Sequence, residues 1–300
     1  MKITIIGAGS VGMLVASFLS ESFHDISLIV RSNEQTTALH EHGLVRENLD
    51  GTISKTKVNI KSHLTPLSED TLIIVAVKYN QLQNIYKILE TQHKNIPILF
   101  LQNGLAHYEE ALCLPQETIL FGSCQFGAEK INQYTVAHRG IGVLKLAMGR
   151  GKEKILHTLS ELKIQNFPTE YIENAEQMLF EKALLNCFIN PLTTLLMVKN
   201  GELVENVHSL KLLEDLYNEL MDAFPEERER FQFADVKKLC IQTASNTSSM
   251  LADRIHNRQT EVKTIVGAVI KKAQVRGKSL PILSTLYHLL LAVEESGEKM

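Results

Sequence analysis

A run of β-branched residues, Ile3-Thr4-Ile5-Ile6, leads directly into Gly7-Ala8-Gly9-Ser10-Val11-Gly12, and helical periodicity follows over residues 11–20. Strand, glycine turn and helix in that order leave few folds open. The first glycine of such a loop permits a tight turn, the second lets backbone approach a pyrophosphate, and the third lets helix pack closely on strand. Exposed N–H groups and the helix dipole then favour an anionic ligand. The pattern alone is weak, but a second apolar run at residues 26–30 supplies the strand such a unit needs within its roughly 30 residues. A Rossmann-type dinucleotide site is therefore predicted at Gly7, Ala8, Gly9, Ser10, Val11 and Gly12. A glycine-rich turn without a ligand is the plain alternative.

The end of the second run bears on which dinucleotide is bound. An acidic residue there would accept hydrogen bonds from the ribose 2′-hydroxyl of NAD. The chain instead reads Ile29-Val30-Arg31-Ser32, and a guanidinium pairs with a 2′-phosphate. NADP is the expected cofactor, read by Arg31. A merely solvated arginine is the alternative.

The alternation continues through the first half. Residues 33–42 read as a helix closed by Gly43, and Asp50-Gly51 marks a hairpin turn. Residues 71–77, 96–101 and 118–122 are nearly continuous apolar strands, separated by helical stretches such as 81–90. Such strands belong to a parallel sheet covered on both faces. Ligands of a doubly wound sheet gather at the carboxyl ends of its strands. That places Lys78, after Ala76-Val77, and Asn103, in Gln102-Asn103-Gly104, beside the cofactor, although Asn-Gly is often only a turn. Residues 134–148 read as an antiparallel ribbon bent near His138 and Gly140-x-Gly142.

After Phe167-Pro168 the β-branched runs vanish and helical periodicities take over. A helix is predicted from a capping box at Asn174 and Gln177 to Asn200-Gly201. Others follow over residues 203–224, 231–244, 250–276 (as one or two) and 281–294. Two domains are expected, residues 1–167 and 168–300, because a chain of 300 residues exceeds what one core usually fills.

Composition excludes several function classes. The 31 Lys and Arg against 34 Asp and Glu leave a net charge of −3, without the basic excess of a nucleic-acid binder. Cys113, Cys124, Cys187 and Cys240 lack paired spacing, so they read as buried thiols of a reducing compartment rather than metal ligands or disulfides. The opening residues could pass for a signal peptide, but Gly7, Gly9 and Gly12 interrupt the apolar stretch. Nothing reaches the roughly 18 apolar residues of a membrane span. A soluble cytoplasmic protein with no membrane partner and no metal is expected.

The second half carries one unusual helix. Lys182, Asn186 and Asn190 stand four residues apart and so line one side, while Phe180, Leu184, Leu185, Phe188 and Ile189 surround them. Pro191 removes a backbone donor and should kink the helix near Cys187. A polar stripe is ordinarily a solvent face. Asparagine, however, is a poor choice for an exposed helix interior because its side chain competes for the backbone. One ammonium and two amides suit a small polar ligand in a cleft. Asn246-Thr-Ser-Ser249 precedes another helix, where Asn246 or Ser248 can serve as a cap, and Arg258 and Glu261 can form an i,i+3 ion pair.

Together these motifs resemble the ketopantoate reductase (2-dehydropantoate 2-reductase) family over nearly the whole chain. The marks are the glycine loop, Val77-Lys78, Gln102-Asn103-Gly104, Lys182-x3-Asn186-x3-Asn190-Pro191, Asn246-x-Ser248-Ser249-Met250-x-x-Asp253, and Arg258-x-Thr260-Glu261. The resemblance implies a Rossmann-type doubly wound α/β domain, then an all-α domain like that of 6-phosphogluconate dehydrogenase, with the active site between them. It implies NADPH-dependent reduction of the 2-keto group of ketopantoate to pantoate, on the route to coenzyme A. Carried over by position, Lys182 is the general acid; Asn186, Asn190, Asn200 and Ser249 touch substrate; Asn103 touches substrate and cofactor; Lys78, Ala128 and Glu261 lie near the cofactor. One departure is Phe180, where the family often has tryptophan, a residue this chain lacks. A reductase of another small 2-keto or hydroxy acid is the nearest rival, and a nonenzymatic NADP-binding sensor is a more distant one. Helical second domains of this kind often pair, so a homodimer is the assembly to test.

Overall fold

The computed structural model describes residues 1–297. The chain folds into two compact units. The first comprises Met1–Gln102 and His107–Met178; the second comprises Asn103–Ala106 and the chain from Leu179 onward.

The first unit is built on β1 (Lys2–Ile6), β2 (Ile26–Ile29), β3 (Leu44–Glu47), β4 (Ile53–Thr56), β5 (Asn59–Lys61), β6 (Thr71–Val75), β7 (Ile98–Phe100), β8 (Ile119–Cys124), β9 (Gly127–Lys130), β10 (Thr135–Gly140), β11 (Leu144–Arg150) and β12 (Thr169–Ile172). Its helices are α1 (Ser10–Leu19), α2 (Asn33–His42), α3 (Leu82–Leu89), α4 (His107–Leu112) and α5 (Lys154–Ser160). Eight strands form one sheet in the order β12-β11-β8-β7-β6-β1-β2-β5. From β8 to β5 every pairing is parallel, and β11 joins antiparallel to β8. Thr71–Val75 and Ile98–Phe100 are buried at every position, as a sheet covered on both faces requires.

A second sheet, β4-β3-β10-β9, was not legible in the alternation. The Asp50-Gly51 turn does join β3 to β4, and Asp50 accepts from Thr52 N at 3.0 Å. The ribbon expected over 134–148 is corrected. β10 pairs with β3 and β9, whereas β11 pairs with β8 and β12 in the other sheet. The chain crosses between sheets at Gly142, where any Cβ would collide with the Gln125 carbonyl. Phe18 of α1 stacks on Phe167 at 4.7 Å, which stacks on Phe126 at 4.8 Å. Each such pair adds about 0.5–1.5 kcal/mol beyond its area. The buried Arg46 guanidinium lies 3.7 Å above the Phe18 ring and pairs with Glu21 at 2.7 Å.

The second unit is helical: α6 (Ala175–Leu196, whose first turn belongs to the first unit), α7 (Glu202–Glu205), α8 (Val207–Ala223), α9 (Phe233–Gln242), α10 (Ser249–Ile255), α11 (Val262–Val275) and α12 (Pro281–Gly297). Phe180, Phe188, Leu213, Leu220, Val266 and Leu283 belong to its core. Glu219 accepts from Ile282 N and Leu283 N and so closes the start of α12.

Several boundaries differ from expectation. The division falls after Met178, not Phe167, because β12 pairs with β11 and so stays with the first sheet. Asn174 does cap α6, accepting from Gln177 N at 3.0 Å, but α6 ends at Leu196, where Met197 turns left-handed (φ 58°). The helix expected over 203–224 breaks at Asn206, whose side chain accepts from His208 N and Ser209 N and starts α8 afresh. Three cysteines are buried as expected, but Cys113 is exposed. Among the described residues no helix is long and apolar enough to cross a membrane.

His107, at the start of α4, is fully buried beside Phe100 and Phe121, and neither ring nitrogen has a hydrogen-bond partner. Burial alone pushes its pKa down to about 3. The unfolded chain therefore binds a proton that the folded chain refuses between about pH 6.5 and pH 3, so stability falls as pH drops through that window. This one site is expected to remove about 1.4 kcal/mol per pH unit within it. Urea midpoints of wild type and His107→Leu at pH 7 and pH 5 test this; equal pH dependence in both would refute it.

Candidate active site

The glycine loop leaves β1 at Gly7, whose φ of 112° is open to glycine alone and whose Cβ would stand 2.9 Å from the Ala76 carbonyl oxygen. A Cβ on Gly12 would collide with Gly7 O, so α1 starts where it does only because Gly12 has no side chain. Gly9 differs. Its backbone is ordinary (φ −79°) and a Cβ there would meet nothing within 4 Å. Steric need inside the chain explains Gly7 and Gly12 but not Gly9, which leaves the face above it bare. No side chain caps α1 and its first turn holds no acidic residue, so its N–H groups and dipole suit an anion. The loop therefore fits a dinucleotide pyrophosphate.

Two glutamines outside the sequence motifs support this region. Gln35, buried on α2, donates from Nε2 to Ala8 O at 2.9 Å and Gln133 O at 3.0 Å, fixing the loop peptide. Gln102, buried after β7, donates from Nε2 to Val75 O and Val77 O at the end of β6. Lys78 follows those carbonyls and is half-buried. Arg31 is exposed two residues past the end of β2, and Ser32 caps α2 through Gln35 N. Ala128 lies on β9 opposite His138, in the second sheet. Two clefts of about 260 and 330 Å³, sharing Lys61 and Thr65, contain none of the expected site residues.

In the helical unit Lys182 and Asn186 are half-buried and Asn190 is buried, with its Nδ2 lacking a partner. The stripe extends one step beyond the three residues expected. Thr194, four residues past Asn190, is buried with its hydroxyl unpartnered, and the same spacing would have found it. α6 passes through Pro191 as one helix. Thr193 Oγ1 meets Ser248 Oγ at 2.8 Å, which brings the end of the stripe to the start of α10. Ser248 is the cap of that helix, accepting from Leu251 N, and Ser249 is exposed beside it.

Asn200 joins this cluster, its N–H donating to Asn246 O at 3.2 Å. Thr243 Oγ1 donates its only proton to Leu239 O at 2.7 Å, so it must accept from Asn200 Nδ2 at 2.9 Å. That fixes the amide, and the buried Oδ1 is left without a partner. Asn200 thus offers an acceptor, suited to a ligand hydroxyl. Asn103 Nδ2 donates to Glu261 Oε2 at 2.8 Å within the same unit. The ion pair expected between Arg258 and Glu261 is corrected: Arg258 pairs with Asp253 at 3.0 Å.

Residues 3–151 match the family described as ketopantoate reductase PanE/ApbA, and residues 174–294 match its C-terminal counterpart. The chain belongs to the ketopantoate reductase family. The 2-dehydropantoate 2-reductases of Listeria monocytogenes and Bacillus subtilis are each 34% identical to it, over 99% and 100% of this chain and 98% and 100% of theirs. The crystal structure of Bacillus subtilis PanE superposes with a TM-score of 0.85 at 33% identity, covering 98% of this chain and all of that one. D-mandelate dehydrogenase with NADH and anilino(oxo)acetate superposes at 0.86 with 25% identity, covering 99% and 100%. The two textures of this family, an α/β sheet unit and a helical unit, are those described above.

Gly9→Ala is expected to leave the melting temperature nearly unchanged while weakening binding of a nicotinamide dinucleotide, because its methyl meets nothing in the chain and enters only the bare space above the loop. Gly12→Ala is expected to cost about 1–3 kcal/mol of stability through overpacking. Thermal melts with fluorescence titration of NADPH separate the two; equal destabilisation by both would remove the ligand explanation for Gly9.

Proposed function

We propose that this chain reduces 2-dehydropantoate to (R)-pantoate with NADPH. The observation that carries the reading is the α6 stripe, a lysine followed at steps of four by two asparagines against an apolar core. It stands in a chain whose family is reductive and whose first unit carries a pyrophosphate-type loop. The proposal assigns the cofactor to the sheet unit, held by Gly7 to Gly12, Arg31, Lys78 and Ala128. The keto acid falls to the helical unit, where Asn103 touches both ligands and Glu261 lies near the cofactor. NADPH, when bound, supplies hydride to the substrate's 2-keto carbon.

The chain's own residues manage the charge that results. Negative charge develops on the keto oxygen, where the Lys182 ammonium stabilises it and delivers the proton that completes the alcohol. The neutral amine left behind regains its proton from water. Asn186 and Asn190 are neutral donors and acceptors for substrate oxygens, and Asn190 Nδ2 is already desolvated without a partner. Asn200 Oδ1 accepts from a hydroxyl, and Ser249 donates to the carboxylate. Arg31 pairs with the 2′-phosphate that distinguishes NADPH from NADH.

Lys182→Ala is expected to lose about 10²- to 10⁴-fold in turnover while still binding NADPH. Near-normal NADPH oxidation with 2-dehydropantoate by that variant would sink the assignment. Arg31→Ala is expected to raise KM for NADPH with little change for NADH; an equal rise for both would deny it a 2′-phosphate role. The likeness to D-mandelate dehydrogenase favours a second reading, a reductase of another small 2-keto acid. Faster turnover of phenylglyoxylate or 2-oxoisovalerate than of 2-dehydropantoate would select it.

A further inference from the structure

The connection between β7 and α4 changes allegiance within four residues. Gln102 and His107 belong to the sheet unit, but Asn103–Ala106 belongs to the helical unit. Its hold on the start of α11 explains this. Asn103 Nδ2 donates to Glu261 Oε2 at 2.8 Å, Leu105 N donates to Thr264 O at 3.2 Å, and the Leu105 side chain packs against the helical core. Between them lies Gly104, with φ 82°, whose backbone rides so close over α11 that any Cβ would collide with the Thr264 carbonyl oxygen. A carbonyl oxygen has two lone pairs, so Thr264 O can take the Leu105 bond beside its helical one.

We propose that Gly104 is a positioning residue for the reaction, the point that seats this loop on α11 and thereby sets the Asn103 carboxamide. The inference rests on the reading that Asn103 touches substrate. Glu261 is an acceptor, so the amide nitrogen of Asn103 must face it. Oδ1 is then the atom turned to the ligand, and it receives a hydroxyl or amide proton rather than a carboxylate oxygen. A side chain at residue 104 brings both an unfavourable φ and a collision with backbone, which cannot yield as a flexible side chain would. The loop must then lift from α11 and carry Asn103 out of register with Glu261.

A double-mutant cycle tests this, with kcat/KM for 2-dehydropantoate measured in wild type, Gly104→Ala, Asn103→Ala and the double variant. Gly104→Ala is expected to lose about 10- to 100-fold alone, the scale of coupled neighbours, and less than about 2-fold in the Asn103→Ala background. Equal losses in both backgrounds would overturn the proposal, since a purely structural lesion adds. Should Gly104→Ala not fold, Leu105→Ala, which loosens the same seat without touching residue 104, enters the cycle under the same criterion. Exchange of the Asn103 side-chain amide protons reads the seat without turnover: slow in wild type and fast in either loop variant supports it, and equal rates refute it. Unchanged kinetics in Asn103→Ala would instead defeat the substrate role of Asn103, leaving the exchange measurement to decide the seating.

Discussion

Helix α1 can begin where it does only because no carbon projects from Gly12 toward the carbonyl of Gly7. That missing atom sets the distance between β1 and the helix that follows it, and the rest of the sheet unit is built outward from this pair. With α1 drawn against the strand, Phe18 reaches Phe167 and Phe126, and Arg46 closes over the ring. Both sheets therefore share one apolar core with α1 at its centre. The same closeness leaves the helix's first N–H groups at the surface of the turn, with Gln35 holding the Ala8 carbonyl turned inward. Packing and anion affinity have a common origin here.

The helical unit solves a different problem. It keeps polar groups on one line of a helix much of whose remaining surface is core. Lys182, Asn186, Asn190 and Thr194 recur every fourth residue, so they stack along one side. Burying such groups costs about 1–3 kcal/mol each when they are unpaired. Asn190 Nδ2, Thr194 Oγ1 and Asn200 Oδ1 are in that state within one connected region. A fold that needed only stability would have replaced them with leucine.

Much of this was legible in the residues, and the reason is periodicity. The strands of the parallel sheet announce themselves through unbroken apolar runs, and the α6 stripe through its spacing of four. The loop residues Gly7, Gly9 and Gly12 stand out as a unit, although only coordinates separate those required by packing from the one that is not. What stayed hidden depends on pairing partners distant in sequence. β9 and β10 carry no apolar run that assigns them to a second sheet, and Gly142 looks like any turn glycine until the Gln125 carbonyl stands beside it. Gln35 and Gln102 look like ordinary polar residues until their burial is known. Arg258 found Asp253 rather than Glu261 because α10 and α11 are separate helices, which breaks the i,i+3 geometry. The unit boundary moved for the same kind of reason, a strand pairing that no local pattern records.

Three of the four thiols form a graded set of reporters. Cys113 is at the surface, whereas Cys187 sits on α6 with no exposure and burial pushes its thiol well up, and Cys240 on α9 is pushed up to about 11. Alkylating reagents attack the thiolate and need access to it. In the native protein such a reagent should therefore mark α4's end first, and labelling at Cys187 would clock how often the central helix of the second unit comes free of its packing. The molecule carries its own stopwatch for local opening, without an added dye or an engineered site.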